Sequence, residues 1–274
     1  GALGNCAGVL QDSRRDDRAG VHARGARELF LACAAAGVGR VVQISAIGID
    51  RRQVSPFSAT KLQGDEVLMA LDLDWVILRP SIVLGAAVYG ASALFRGLAA
   101  LPVLPVLTET GPLQVVAVED VAETVARLVR PPSPARIVLE LTGTERLDLA
   151  RIVAHHRAWL GWPPARQARL PDRSGAIVFR LGDLAGALGW RPPVRTSARL
   201  EIAEGAYGDP AEWQAITGIE PRPLADILAS RPATVQERWF ARLYLVRPAL
   251  IIILCAFWLH TGLIALTAGF AEGV

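Results

Sequence analysis

The chain has 274 residues, a formal net charge of +3 and 52% hydrophobic residues, with a mean hydropathy of +0.34, high for a soluble globular protein and enough chain for one large domain or two ordinary ones. The charge is small and the arginines are scattered, so surface solvation accounts for them and nothing argues for nucleic acid. Cys6, Cys33 and Cys255 are odd in number and lack metal-ligand spacing, so no metal site is expected, and reduced thiols fit a cytosolic compartment.

In chain order, Asn5-Cys6-Ala7-Gly8 follows a strand that begins at or before residue 1. From Asp17 to Ala36 the periodicity is helical, with Val21, Leu29, Phe30 and Cys33 on one face, and Gly37 and Gly39 form the stop. Val41-Val42-Gln43-Ile44-Ser45 reads as a strand, and a helix is expected over Phe57 to Leu71. Trp75-Val76-Ile77-Leu78 is the next strand, leaving through Arg79-Pro80-Ser81-Ile82-Val83-Leu84-Gly85. A helix over Val118 to Val129 opens with Glu119-Asp120, acidic residues suited to a helix N-terminus. Ile137 to Leu141 is a further strand. Strands separated by helices argue for a parallel α/β sheet.

From about Thr144 the composition changes. Leu147 to Leu160 is expected to be helical and to end at Gly161-Trp162-Pro163-Pro164. A short helix near Leu181 to Leu188 and loop-rich segments to Pro232 complete a small α-rich part. Ala249 to Phe270 then carries no formal charge over 22 residues. That length spans a hydrocarbon core of ~30 Å at ~1.5 Å per residue. A buried core helix is the other reading, but apolar residues surround the whole segment. Arg238, Arg242 and Arg247 precede it, with Trp239, Phe240 and Tyr244 among them. Basic residues favour the cytoplasmic side and aromatic rings suit the headgroup boundary. The expected domains are therefore 1–143, 144–235 and 236–274.

Of the 29 basic residues, Lys61 alone is lysine. It stands four residues after Phe57, on one helix face about 5–6 Å away. With Asn5-x-Ala7-Gly8, Ser45, Phe57-x-x-x-Lys61 and Arg79-Pro80-x-x-x-Leu84-Gly85 in this order, the sequence resembles the extended and atypical short-chain dehydrogenase/reductase superfamily, over roughly residues 1 to 150. In that family these positions hold an N-x-A-G turn near the adenine side of the nucleotide, a Ser or Thr, a Tyr-x-x-x-Lys pair and a loop near the nicotinamide. The resemblance implies a cofactor, NAD or NADP with NADP slightly favoured, near Asn5, Ala7, Gly8, Ser45, Lys61, Pro80, Ser81 and Val83.

The spacing of that pair has a physical reason. An ammonium beside a phenol lowers its pKa from ~10, so that it can exchange a proton with a substrate while hydride moves. The ammonium can also bond the nicotinamide ribose, a task for which the planar fork of Arg is ill suited. Phe57 occupies the tyrosine's place, and a phenyl ring is neither acid nor base. Catalytic candidates are thus Lys61 and Ser45, with Phe57 marking the lost phenol. The family's hydroxyl often lies two residues beyond Ser45, where this chain has Ile47. Ser58, at i+3 to Lys61, is a substitute acid. His22 falls where many relatives have Asn, and is expected to be a packed histidine.

Gln114 to Ala122 resembles the family segment that packs beneath the substrate pocket. Tyr89-Gly90, Pro102 and Pro105 fall where relatives form the loop over nicotinamide and substrate. A Gly-rich phosphate turn is missing from the chain, so the Asn5 turn resembles the end of a fourth strand. The expectation is a fragment, lacking about three strands before residue 1 and truncated at its other end. The downstream part resembles bacterial short-chain-dehydrogenase-like proteins fused to a DoxX-like membrane domain, and the body resembles the nucleotide-binding accessory subunit of respiratory complex I. The implied fold is α/β: the C-terminal half of a Rossmann-like parallel sheet, a small α-rich subdomain and a C-terminal transmembrane helix. The implied protein sits in the bacterial inner membrane with its body in the cytoplasm, contacts membrane lipid and dinucleotide, and is weak or inactive as an oxidoreductase. Two alternatives stand: an epimerase, dehydratase or reductase on a hydrophobic substrate, such as a quinone or lipid, and a scaffold without nucleotide.

Overall fold

A computed structural model describes residues 1–267 apart from 11, 13–16, 52–54, 89, 108–109, 131, 171, 188–194 and 197–198. Strand β1 (Ala2–Asn5) is followed by a π-helical stretch (Gly20–Gly25) running into α1 (Ala26–Ala35). Then come β2 (Arg40–Ile44), α2 (Pro56–Met69), β3 (Asp74–Pro80), β4 (Ile82–Leu84), α3 (Gly90–Ala99), β5 (Val103–Leu107), β6 (Val115–Ala117) and α4 (Val118–Leu128). The chain continues through β7 (Ile137–Leu141), α5 (Leu149–Trp159), β8 (Arg166–Leu170) and α6 (Asp172–Ala187). It ends in α7 (Arg199–Glu204), α8 (Ala211–Thr217), α9 (Leu224–Ala229) and α10 (Val235–Leu266).

The main sheet is wholly parallel, in the order β1-β2-β3-β7. Both of its faces are covered, as parallel sheets require. On one face Val41 and Ile77 pack with Phe30, Cys33 and Leu68 of α1 and α2. On the other, Val42, Val76 and Leu78 pack with Val121 of α4 and Trp213 of α8. Trp213 is fully buried and donates from Nε1 to Thr124 Oγ1 at 2.8 Å. The downstream helices therefore contribute to the core of the upstream sheet.

Several expected elements differ. The strand expected to end at Ser45 closes at Ile44: Ser45 N–H still bonds Leu78 O in register with the Ile44–Leu78 pair, but the facing Pro80 has no N–H with which to extend the ladder. The helix expected at Leu181 to Leu188 begins at Asp172, and Leu188 lies outside the described residues. Pro105, expected in a loop, lies inside β5, which pairs in parallel with β8. Two-stranded pairing leaves each strand an unpaired side on which a proline costs no bond. The segment expected to be loops as far as Pro232 contains α7, α8 and α9. Tyr89 lies outside the described residues.

Helix α10 has 32 residues, and its apolar side chains are exposed around the described span, Leu254, Phe257, Trp258 and Leu263 among them. Its most apolar window has a mean hydropathy of 2.4, long and apolar enough to cross a membrane. Thr234 caps its start, with Glu237 completing a capping box. Near its start it lies along α3, where Tyr244 is so close to Gly97 that any Cβ there would strike the ring.

Candidate nucleotide and substrate site

The carboxyl ends of β1, β2 and β3 converge on one cavity of about 1210 Å3. Its floor is built by Gly8, Ser45, Phe57 and Lys61. Ser55 caps α2 by accepting from Ser58 N–H, and Pro56 occupies the first turn, where its missing N–H costs nothing. Helix α2 then aims Lys61 at the strand ends. Gly64 lets α2 approach closely, since a Cβ there would collide with the carbonyl of His22.

Lys61 is only 5% exposed. Its Nζ donates to Ile44 O at 3.0 Å and Ala7 O at 3.3 Å, tying the ends of β1 and β2 together. Burial pushes its pKa down, against the attraction of Asp65. An ammonium has three donors, so one remains for a ligand in the cavity. The Ala7-Gly8 turn is itself held by Asn5: Ala7 N–H donates to Asn5 Oδ1 at 3.1 Å, and Asn5 Nδ2 donates to Gln43 Oε1 at 2.8 Å. A Cβ at Gly8 would lie 3.5 Å from Lys61 Nζ, filling the space above the ammonium.

Sequence reasoning missed Asp65. It lies one helical turn beyond Lys61, a spacing that places both on the same face, and it is fully buried. Ser45 Oγ donates to Asp65 Oδ2 at 2.8 Å, and Arg79 approaches the same oxygen at 3.4 Å. Arg79 also pairs with Asp50. Burial raises the Asp65 pKa, opposed by Ser45, Arg79 and Lys61. The hydroxyl expected to face a substrate is thus engaged beneath the floor.

Phe57 lines the cavity, with its ring edge-on to His22 at 5.5 Å between centroids. His22 is buried: Val9 N–H donates to Nε2 at 2.9 Å, and Nδ1 lies 3.0 Å from Thr60 Oγ1. Since Nε2 accepts, the neutral ring carries its proton on Nδ1. Burial, then Lys61, then Arg18 push its pKa down to about 4. Ser58 Oγ donates to Glu201 Oε1 at 2.8 Å and is not among the cavity-lining residues.

Of the remaining expected positions, Val83 lines the cavity, as does Ile82. Pro80 ends β3, and its carbonyl accepts from Ile47 N–H at 3.1 Å. Ser81 N–H bonds Leu141 O at 3.0 Å, while Ser81 Oγ is buried without a partner among the described residues and Ser81 is not among the cavity-lining residues. The spare donor on Lys61 fits the ribose and nicotinamide end of a dinucleotide. The opposite wall comes from α3 and from α10, whose Leu243, Tyr244, Arg247, Leu250, Ile251 and Leu254 line the same cavity. Among the described residues no His, Cys, Asp or Glu cluster is suited to a metal ion.

Residues 2–132 match the family described as NAD(P)H-binding. The fold is Rossmann-like α/β with a parallel sheet. The chain is 30% identical over 181 residues to a ceramide reductase of Caulobacter vibrioides, a match covering 63% of this chain and 55% of that protein. It thus spans about half the length of that relative. WbmG of Bordetella bronchiseptica, solved in complex with NAD and UDP, superposes with a TM-score of 0.58 over 83% of this chain and 70% of its own, at 14% identity. RMD of Pseudomonas aeruginosa, solved with NADPH, gives 0.58 over 83% and 80%, at 16% identity. At such identities the likeness is one of fold.

Proposed function

We propose that this chain belongs to a membrane-anchored short-chain-dehydrogenase-like protein that binds NAD(P) through Lys61 and turns over weakly or not at all, because Phe57 replaces the catalytic phenol. The observation that carries the reading is the buried ammonium of Lys61 at the carboxyl ends of β1 and β2, facing a cavity whose neighbouring ring has no hydroxyl. Nicotinamide cofactors supply or accept hydride. The residues around the site bind and orient: Lys61 offers its spare donor to the ribose and nicotinamide end, and Asp65 holds Ser45 and Arg79 beneath it. NADP is slightly favoured over NAD. Helix α10 anchors the body to the bacterial inner membrane, with Arg238, Arg242 and Arg247 keeping the body cytoplasmic, in an arrangement like that of DoxX-like fusions.

A second reading is an active reductase on a lipid carbonyl that uses a substitute acid. The similarity to a ceramide reductase favours it. One pair of measurements separates the two. NADPH binding to the full-length protein is followed by cofactor fluorescence, and turnover is compared between the parent and Phe57→Tyr. A binding parent without turnover, awakened by Phe57→Tyr, supports the first reading. A parent that already reduces a long-chain lipid ketone supports the second. A parent that binds neither NADPH nor NADH removes both.

A further inference from the structure

One helix face is shared between the candidate site and the candidate membrane span. Leu243, Arg247, Leu250 and Leu254 fall at three- and four-residue steps along α10, with Ile251 beside them, and all line the cavity that contains Ser45 and Lys61. Residues at this spacing form one stripe. The stripe runs past Arg247 into the uncharged segment beginning at Ala249. The cavity therefore reaches from a polar floor, through the level of the entry arginines, to residues inside the apolar span. Its volume of about 1210 Å3 exceeds the ~300–1,000 Å3 usual for a small-molecule pocket. It has room for the end of a dinucleotide and for a second ligand.

Resting on the reading above, we propose that α10 is a wall of the substrate site as well as an anchor, and that the second ligand is a membrane amphiphile that enters sideways from the bilayer. Its polar, acceptor-bearing end lies between Lys61 and Arg247. Its single hydrocarbon chain lies along Leu250, Ile251 and Leu254 and remains in the lipid. No carboxylate pairs with Arg247 among the described residues, so its exposed guanidinium can take an acceptor at the level where the apolar span begins. A slender chain with a polar end meets both the apolar wall of α10 and the polar floor at Lys61. The chain length of the ligand is then read by α10 and the polar end by the Rossmann-like body, so selectivity for long-chain substrates resides in the membrane helix.

The test uses full-length protein in lipid nanodiscs and a hexadecanoyl amide that carries a photoreactive diazirine near its chain end, with the butanoyl amide as the short-chain control. Labelled peptides are mapped by mass spectrometry, and NADPH affinity is measured on the same samples. The expected result is labelling of the Leu250–Leu254 stretch and of the start of α3, with little from the butanoyl probe. Leu250→Trp, which fills the stripe, should reduce that labelling at least tenfold and leave NADPH affinity unchanged. Ile253→Trp, on a side chain that is 63% exposed and outside the cavity lining, should leave both unchanged. The proposal is overturned if the label falls evenly around α10, if both tryptophan variants behave alike, or if Leu250→Cys cross-links two copies through this face. A parent that takes the lipid label at the expected stretch but binds no NADPH overturns the nucleotide reading and leaves the lipid wall standing.

Discussion

Replacing Lys61 by Met keeps the bulk of the side chain and removes its charge and donors. The ammonium has three N–H groups, two of which go to Ile44 O and Ala7 O at 3.0 and 3.3 Å. One is left for a ligand. A hydrogen bond from a charged group is worth about 1.5–3 kcal/mol, and each 1.4 kcal/mol is tenfold in affinity. The dissociation constant for NADPH in Lys61→Met should therefore rise about 10- to 150-fold. Folding should suffer as well, because two carbonyls at the strand ends lose their donor, at about 1–3 kcal/mol each where no water replaces it. Removal of a buried charge offsets part of that loss, since burial already disfavours the ammonium. The assay is titration of full-length protein with NADPH, followed by cofactor fluorescence, with circular dichroism as the check on folding. A folded Lys61→Met protein that binds NADPH as tightly as the parent refutes the assignment of this lysine to the nucleotide.

Asp65→Ala should destabilise by about 1–3 kcal/mol in chemical denaturation, because it leaves the buried Ser45 hydroxyl without its acceptor while Arg79 keeps Asp50, whereas Asp65→Asn, which retains an acceptor for Ser45, should cost clearly less. His22 and His156 both have pKa values pushed down to about 4, chiefly by burial. Neutral rings in the folded state and charged rings in the unfolded state make stability fall as the pH drops from 6.5 towards 4. Each ring should remove about 2 kcal/mol between pH 7 and pH 5, and in denaturant melts at the two pH values the loss should shrink in His22→Gln. Trp213→Ala should cost about 3–5 kcal/mol, measured by denaturation, and should unfold the parallel sheet together with the downstream helices, because Trp213 packs among Val42, Val76 and Leu139. Brominated lipid should quench the fluorescence of Trp258, which is 69% exposed on α10. No quenching in nanodiscs would remove the membrane reading of that helix.

Much of the frame was legible in the chain itself. The runs Val41 to Ile44 and Ile137 to Leu141 are β-rich and bounded by breakers, so local chemistry was enough to identify them as strands. Helix α4 announces itself by Glu119 and Asp120 in its first turn. The apolar segment after Pro248 needs only its length and lack of charge. That the residue four positions before Lys61 is a phenylalanine, with no hydroxyl, is likewise visible without coordinates.

Local pattern did not reveal short strands such as β4 and β6, which have three residues each and exist by pairing with one another across more than 30 residues. Nor did it show that Ser45 points at Asp65, although the four-residue spacing from Lys61 to Asp65 was there to be noticed. The tautomer of His22 follows from a bond to Val9, and the donors of Lys61 are divided between a carbonyl of β2 and one in the turn after β1. Residue order thus determined which groups the molecule carries and which of the longer segments are helix, strand or membrane-length. Folding alone decided which of these groups meet. Periodicity reports the faces of a single element, whereas Lys61 and Arg247 share a cavity only because α10 lies along α3 beside the carboxyl ends of the sheet.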